Sequence, residues 1–329
     1  MRALCAPRAG ARAGARSGAA LAAVLAVAAV AASACGAGGG SDGKADASPR
    51  PGAATSAPPT YLGVYSPERD STVGTGAIVT VLFTRTITRQ ADVERGITVT
   101  SRPPVPVVGH WFGGRRLDLR PARFWQPGTV VTLHLRLRGV HGTDTAIGSQ
   151  SKDVSFTIGR DQHSVVNAAT HTMTVFRGAR VLRVLPVTAG SPQHTTYNGV
   201  MVISEKFPVT RMNGNTVGFG GEYDIPDVPH AMRLTASGTF VHGNYWAPHG
   251  IFGTQNTSHG CIGLEDRKGG GADTPAGWFY GQSIIGDAVQ VVDSPDRVVA
   301  PDNGSGGWNL DWAQWTAGSA LRTPVGPPR

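Results

Sequence analysis

Cysteine is almost missing from this chain: there are three among 329 residues, Cys5, Cys35 and Cys261. So few thiols exclude a disulfide-stapled scaffold and a multi-cysteine structural zinc fold. Acidic residues are missing from the N-terminus, where none precedes Asp42, while Arg2, Arg8, Arg12 and Arg16 crowd the start. The formal charge of +8 is therefore local. Without those four arginines the 30 cationic residues fall to 26 against 22 acids, a net +4. No Lys/Arg cluster interleaved with aromatics occurs, so nucleic acid is not expected as a partner. Long apolar runs are missing too. The run Ala19–Ala32 is alanine-rich and shorter than the roughly 20 residues a membrane span needs. What remains is 40% hydrophobic and only 16% charged, the balance of a chain that folds around a core. Its 45 glycines and 23 prolines favour a turn-rich β protein over a helical bundle.

The N-terminus reads as a secretion signal: arginines, then the apolar run, then small residues. Ala32-Ser33-Ala34-Cys35 resembles a lipobox, the cleavage site of bacterial lipoproteins. That resemblance implies loss of residues 1–34 and a lipid on Cys35, with plain cleavage nearby as the alternative. Acyl chains there would contribute about 0.8 kcal/mol per buried methylene, holding the protein at the outer face of the cytoplasmic membrane, towards the cell wall. Residues 35–60 are mostly Gly, Ala, Ser, Pro and Thr and read as a flexible tether. Cys5 leaves with the signal and Cys35 sits at the anchor. Cys261 is then the sole thiol of the folded body, a liability unless used or deeply buried.

Short strands fill residues 61–159. Ala77–Phe83, Ile97–Thr100, Arg116–Arg120, Val130–Leu137 and Val154–Ile158 are β-branched or alternating, with turns between them. This spacing predicts an immunoglobulin-like sandwich. No titratable cluster marks it, so it reads as a spacer or docking module. A second β-rich domain is expected over 160–293, with strands at Ser164–Asn167, His171–Arg177, Arg180–Thr188, Val200–Ser204, Thr239–His242 and Asp287–Val292. Thr274–Ile285 has a helical centre, since Pro275 suits a first helical turn. Residues 294–329 form a C-terminal subdomain and tail. There Trp308, Trp312 and Trp315 recur at i, i+4 and i+7, which predicts one helix face packed onto the domain before it. The glycine-rich Gly214–Gly221 reads equally as a mobile lid or an ordinary hairpin loop.

Chemistry concentrates in His242-Gly243, fourteen further residues, then Ser258-His259-Gly260-Cys261-Ile262-Gly263. A free thiol near pKa 8.5 is only a few per cent thiolate at neutral pH, so a nucleophilic cysteine needs a base. His259, two residues from Cys261, would point the same way in an extended segment. His242 ends a strand nineteen residues upstream. Either can serve. Gly260 removes bulk and lets backbone amides approach an oxyanion. The competing reading makes His242, His259 and Cys261, with His249 nearby, ligands of a metal.

His-Gly, an intervening loop and Ser-His-Gly-Cys resemble the YkuD-type L,D-transpeptidases, in particular their actinobacterial lipoprotein members. The resemblance spans roughly residues 61–321. It implies a mainly β protein: an immunoglobulin-like sandwich, a YkuD-type β-sandwich catalytic domain with short helices, and a Trp-rich C-terminal subdomain. By it, Cys261 is the nucleophile and His242 the proton donor and acceptor, oriented by the Gly243 carbonyl. His259 supports the site, and the amides of Gly260 and Cys261 form the oxyanion hole. Tyr223 falls where the family has a lid tyrosine. Ser237 and Gly238 fall on the strand lining the cleft, and Ser258, Gly243 and Gly263 complete the substrate-binding set. The implied partners are peptidoglycan stem peptides as donor and acceptor, with carbapenem-type β-lactams as covalent inhibitors and no cofactor or metal. The implied activity is 3→3 cross-linking through a Cys thioester. Hydrolysis by an L,D-carboxypeptidase on the same scaffold, and a non-catalytic lipid-anchored wall-binding protein, are the alternatives. Gly263 departs from the family, which often carries Arg or Asn there to contact substrate. Gly243 stands where serine is frequent.

Overall fold

The computed structural model describes residues 57–218 and 220–321. The signal segment, Cys35 and most of the tether lie outside the described residues.

Strands between Thr60 and Ile158 build two four-stranded sheets face to face. One orders Gly63–Ser66, Val79–Phe83, Arg116–Arg120 and Val108–Phe112; the other orders Thr72–Val73, Ser151–Ile158, Val130–Arg136 and Ile97–Arg102. Alternation makes this sandwich. Val79, Val81 and Phe83 point inward, as do Val131, Leu133 and Leu135, and all are at most 2% exposed. Sequence patterning places the Arg116–Arg120 strand to the residue. It misses Val108–Phe112, whose glycine and histidine break the apolar signal.

The second domain is one curled nine-stranded mixed sheet. Its order runs Gly199–Val202, Ala288–Val292, Gln162–Asn167, Thr172–Arg177, Arg180–Thr188, Ile262–Glu265, Phe240–Asn244, Asp224–Arg233 and Glu205–Asn213. Curling lets distant strands share one core, in which Met173, Val187, Met201, Met232, Val241, Ile262 and Val289 are fully buried. The helix Pro275–Gln282 closes part of that core with Ala276 and Phe279. Thr274 caps it by accepting from the Gly277 amide, and Pro275 occupies its first turn.

The tryptophan expectation needs correction. Only Trp312–Ala317 is an α-helix, and Trp308 lies in a separate 3-10 turn. The three indoles do not face the preceding domain. They converge on Arg120 of the first domain, whose guanidinium lies 4.6, 5.6 and 4.3 Å from the rings of Trp308, Trp312 and Trp315. Trp315 is fully buried and its indole donates to the Val108 carbonyl at 2.9 Å. Buried Glu94 of the first domain accepts from Trp111 (2.8 Å), from the Ser319 hydroxyl (2.6 Å) and from the Ala320 amide (2.8 Å). Residues 308–320 thus close the immunoglobulin-like core.

Candidate active site

The strand Phe240–Asn244 is buried throughout and runs parallel to Ile262–Glu265, with His242 opposite Gly263. Cys261 directly precedes the second strand. His242 and Cys261 both open into a cleft of about 360 Å³, walled by Met212, Tyr223, Trp246, Thr257, Ser258 and His259.

His242 is 5% exposed, and its Nδ1 donates to the Gly243 carbonyl at 2.9 Å. With Nδ1 as the donor, Nε2 is left as the proton acceptor. Trp246 stacks on the ring at 5.6 Å and 11°. Burial depresses the imidazole below its usual range, with the Gly243 bond opposing. Burial also pushes the Cys261 thiol up to about 11, with the Phe240 amide pulling the other way. The Cys261 sulfur donates to the Gly238 carbonyl at 3.6 Å. Both shifts favour the uncharged forms of thiol and imidazole.

Both histidines line the cleft with Cys261, and they differ in their surroundings and in the turn at Gly260. Its φ of +100° breaks the extended run before the strand begins. His259 therefore does not simply repeat the direction of Cys261. Its Nε2 meets Glu222 Oε2 at 2.9 Å, and its ring stacks on His194 at 4.7 Å. His249 pairs with Glu265, and its side chain is 83% exposed. Among the described residues, His242, His259 and Cys261 do not form a group with their ligand atoms within 4.8 Å of one another.

Ser258 shapes the turn. Its hydroxyl donates to the Cys261 carbonyl at 2.6 Å and accepts from the Gly260 amide at 3.2 Å. An oxyanion would have to draw the Gly260 amide away from that longer bond. Tyr223 borders the cleft 5.0 Å from the His259 ring, and burial pushes its hydroxyl up to about 12. It also borders a second cavity of about 180 Å³, on the Gly238 side of the sulfur. Ser237 and Gly238 are not on a strand: they form the turn before Phe240, with Gly238 at φ +98°. Ser237 Oγ accepts from Asn303 at 2.8 Å. Gly214–Gly221 joins the long antiparallel strands Glu205–Asn213 and Asp224–Arg233, so it is a hairpin connection whose strands carry cleft residues.

Gly263 and Gly243 both have physical reasons in the packing around them. A Cβ at Gly263 would lie 2.9 Å from Thr188 Cγ2 and 3.3 Å from Asn244 Nδ2. Packing therefore holds this position to glycine, and the buried Asn244 amide, which lines the cleft, lies over it. A Cβ at Gly243 would collide with the Asp266 carboxylate. Asp266 is fixed by the Thr274 hydroxyl (2.9 Å), the Gly271 amide (3.0 Å) and His230 Nδ1 (2.7 Å). The helix cap, Asp266 and the peptide that orients His242 thus form one packed unit. Sequence reasoning missed Asn244 and Asp266. Asn244, two residues after His242, was findable by strand alternation, whereas Asp266 sits before a charged, glycine-rich loop and gives no signal.

Residues 161–291 match the L,D-transpeptidase catalytic domain, and residues 35–141 the bacterial Ig domain. L,D-transpeptidase 2 of Mycobacterium tuberculosis (strain CDC 1551 / Oshkosh) is 30% identical over 272 residues, covering 81% of this chain and 64% of that protein. L,D-transpeptidase 5 of the H37Rv strain is 30% identical over 264 residues, covering 78% and 56%. The chain therefore spans less than two thirds of the length of these relatives. Among solved structures, LD transpeptidase LdtMt1 in complex with imipenem superposes with a TM-score of 0.59 at 27% identity, covering 71% of this chain and 99% of that one. L,D-transpeptidase 3 from M. tuberculosis with a faropenem-derived adduct gives 0.54 at 28%, covering 69% and 96%.

Proposed function

Since this chain belongs to the L,D-transpeptidase family through residues 161–291, we propose that it is a cysteine-dependent acyltransferase that makes 3→3 cross-links in peptidoglycan. The observation that best supports this reading is the His242–Gly243 hydrogen bond, which leaves Nε2 as the basic nitrogen in the cleft that Cys261 also lines.

In this reading the Cys261 sulfur attacks the carbonyl carbon between residues three and four of a stem tetrapeptide, and the thiol proton passes to His242 Nε2. The tetrahedral adduct then collapses: the C–N bond breaks, and the departing D-alanine amine takes that proton. A thioester remains, long-lived enough for an amine to compete with water. The side-chain amine of a neighbouring stem forms the new C–N bond, and the sulfur leaves and regains a proton through His242. The Cys261 amide, with that of Gly260 once drawn from Ser258, stabilises the oxyanion. Tyr223 and His259 wall the acyl-donor cleft, and Ser237 and Gly238 edge the second cavity. Asn244 supplies the polar contact that Gly263 cannot. With burial favouring the neutral thiol and imidazole, attack of the sulfur on the carbonyl is coupled to proton transfer to His242.

The setting is part of the proposal. Export, a lipid on Cys35 and a tether over 35–60 would place the cleft at the outer face of the membrane, within reach of the wall. β-Lactams of the carbapenem type would acylate Cys261. The test compares wild type with Cys261→Ala on disaccharide-tetrapeptide, and measures intact mass after imipenem. D-Alanine release, 3→3 dimers and a single adduct are expected for wild type alone. Release by Cys261→Ala would sink the assignment, and tripeptide with no dimer would make water the acceptor.

A further inference from the structure

At the cleft mouth, outside the acyl-transfer pair, His194, Glu222 and His259 converge. Glu222 Oε2 lies 3.3 Å from His194 Nε2 and 2.9 Å from His259 Nε2. All three candidate ligand atoms fall within 4.8 Å of one another. Bonds of about 2.0–2.2 Å to nitrogen and oxygen in a tetrahedral site set ligand atoms roughly 3.3–3.5 Å apart. The cluster therefore needs only a small adjustment to embrace an ion. Two imidazoles and one carboxylate suit a borderline divalent ion, not the oxygen-seeking calcium or magnesium. The side chains are 28%, 48% and 33% exposed for His194, Glu222 and His259, so solvent and dissolved ions reach the cluster.

The geometry points to a binding site here for one divalent ion of the zinc class, clipping the hairpin tip to the nucleophile loop. Each ligand comes from a different segment. Glu222 sits on the hairpin connection beside Tyr223. His259 sits two residues before Cys261. His194 sits on a bend fixed to the same loop, because the Ser191 amide donates to the Ser258 carbonyl at 2.8 Å and the His194 amide to Ser191 at 3.0 Å. Two ligands are thus already mounted on one rigid base, and Glu222 is the movable third. An ion would replace the Glu222–histidine contacts with coordination and immobilise Tyr223 over the cleft. The set shares only His259 with the ligands weighed from sequence. It does not depend on the proposed acyl transfer, and its test is read without turnover.

The experiment uses the full chain, metal-stripped, with Cys5→Ser and Cys35→Ser to remove unrelated thiols. Calorimetric titration with Zn²⁺ should show one ion per chain. Both His194→Asn and Glu222→Gln should weaken binding by at least about tenfold, while their metal-free melting stays near that of the parent. Cys261→Ser should bind as the parent does. Co²⁺ should give visible ligand-field bands without a thiolate charge-transfer band. Amide hydrogen exchange across residues 212–224 should slow on adding Zn²⁺ in the parent and not in Glu222→Gln. Failure of saturable one-to-one uptake would overturn the site. So would a thiolate band, loss of binding in Cys261→Ser, or full binding in both ligand variants. One-to-one uptake with unchanged hairpin exchange would overturn the clip.

Discussion

Iodoacetamide should alkylate Cys261 about thirtyfold more slowly at pH 7 than it alkylates an ordinary cysteine. The reasoning starts from burial, which pushes this thiol up to about 11. An ordinary thiol near pKa 8.5 is roughly 3% thiolate at pH 7, whereas Cys261 would be about one part in ten thousand, some 300-fold less. A more basic thiolate is also a better nucleophile. With a Brønsted slope of about 0.4–0.5, the higher pKa returns roughly tenfold, leaving a deficit of about thirtyfold. The rate should climb nearly tenfold per pH unit through pH 10. The assay quantifies the alkylated Cys261 peptide by mass spectrometry across a pH series, with urea-denatured protein as the reference. A rate that levels off below pH 8, or that exceeds the denatured reference at pH 7, would refute the reasoning, because it marks a preformed imidazolium–thiolate pair. His242→Asn should leave the alkylation profile almost unchanged and abolish turnover, since a neutral imidazole lends the resting thiol no charge.

The glycine opposite His242 offers a packing test. Gly263→Ala should cost about 1–3 kcal/mol by urea unfolding, and Thr188→Ser should restore most of it, because it removes the obstructing methyl and keeps the hydroxyl that Thr257 uses. No recovery would show that Thr188 is not the obstacle. Gly243→Ala should fall at the upper end of the same range of about 1–3 kcal/mol, since Asp266 is held by the Arg267 and Gly271 amides, the Thr274 hydroxyl and His230; a cost near zero would show that Asp266 yields. Trp315→Ala should remove about 3–5 kcal/mol and raise the protease sensitivity of the first domain, not of the second. Cleavage confined to the catalytic domain would contradict the placement of Trp315.

Strands built by plain alternation were readable. Arg116–Arg120 and Arg180–Thr188 begin and end where their apolar rhythm does. The long hairpin Glu205–Asn213 and Asp224–Arg233 was hidden by Pro208, Pro226 and Pro229. An edge tolerates them: Glu205–Asn213 has a neighbour on one side only, and Asp224–Arg233 meets the His242 strand only at Met232 and Arg233. Cys261 stood out by counting thiols. Residue spacing left His242 and His259 as alternatives, and the extended run assumed between His259 and Cys261 is broken by the positive φ at Gly260. Periodicity found the tryptophans but not their partner. Arg120 lies almost 200 residues upstream in another domain, and no local pattern connects the two.

The three donors to Glu94 have a consequence for the order in which the molecule becomes complete. Synthesis runs from the N-terminus, so Glu94 and Trp111 emerge together, while Ser319 and Ala320 follow more than 200 residues later. Until they arrive, a carboxylate destined for 3% exposure has one indole to meet it. A buried charge so poorly matched opposes closure of its surroundings. The domain that comes first in the chain therefore receives its last two Glu94 donors from the far C-terminal segment. Loss of residues 308–320 would be felt first in the immunoglobulin-like core, far along the chain from the cut.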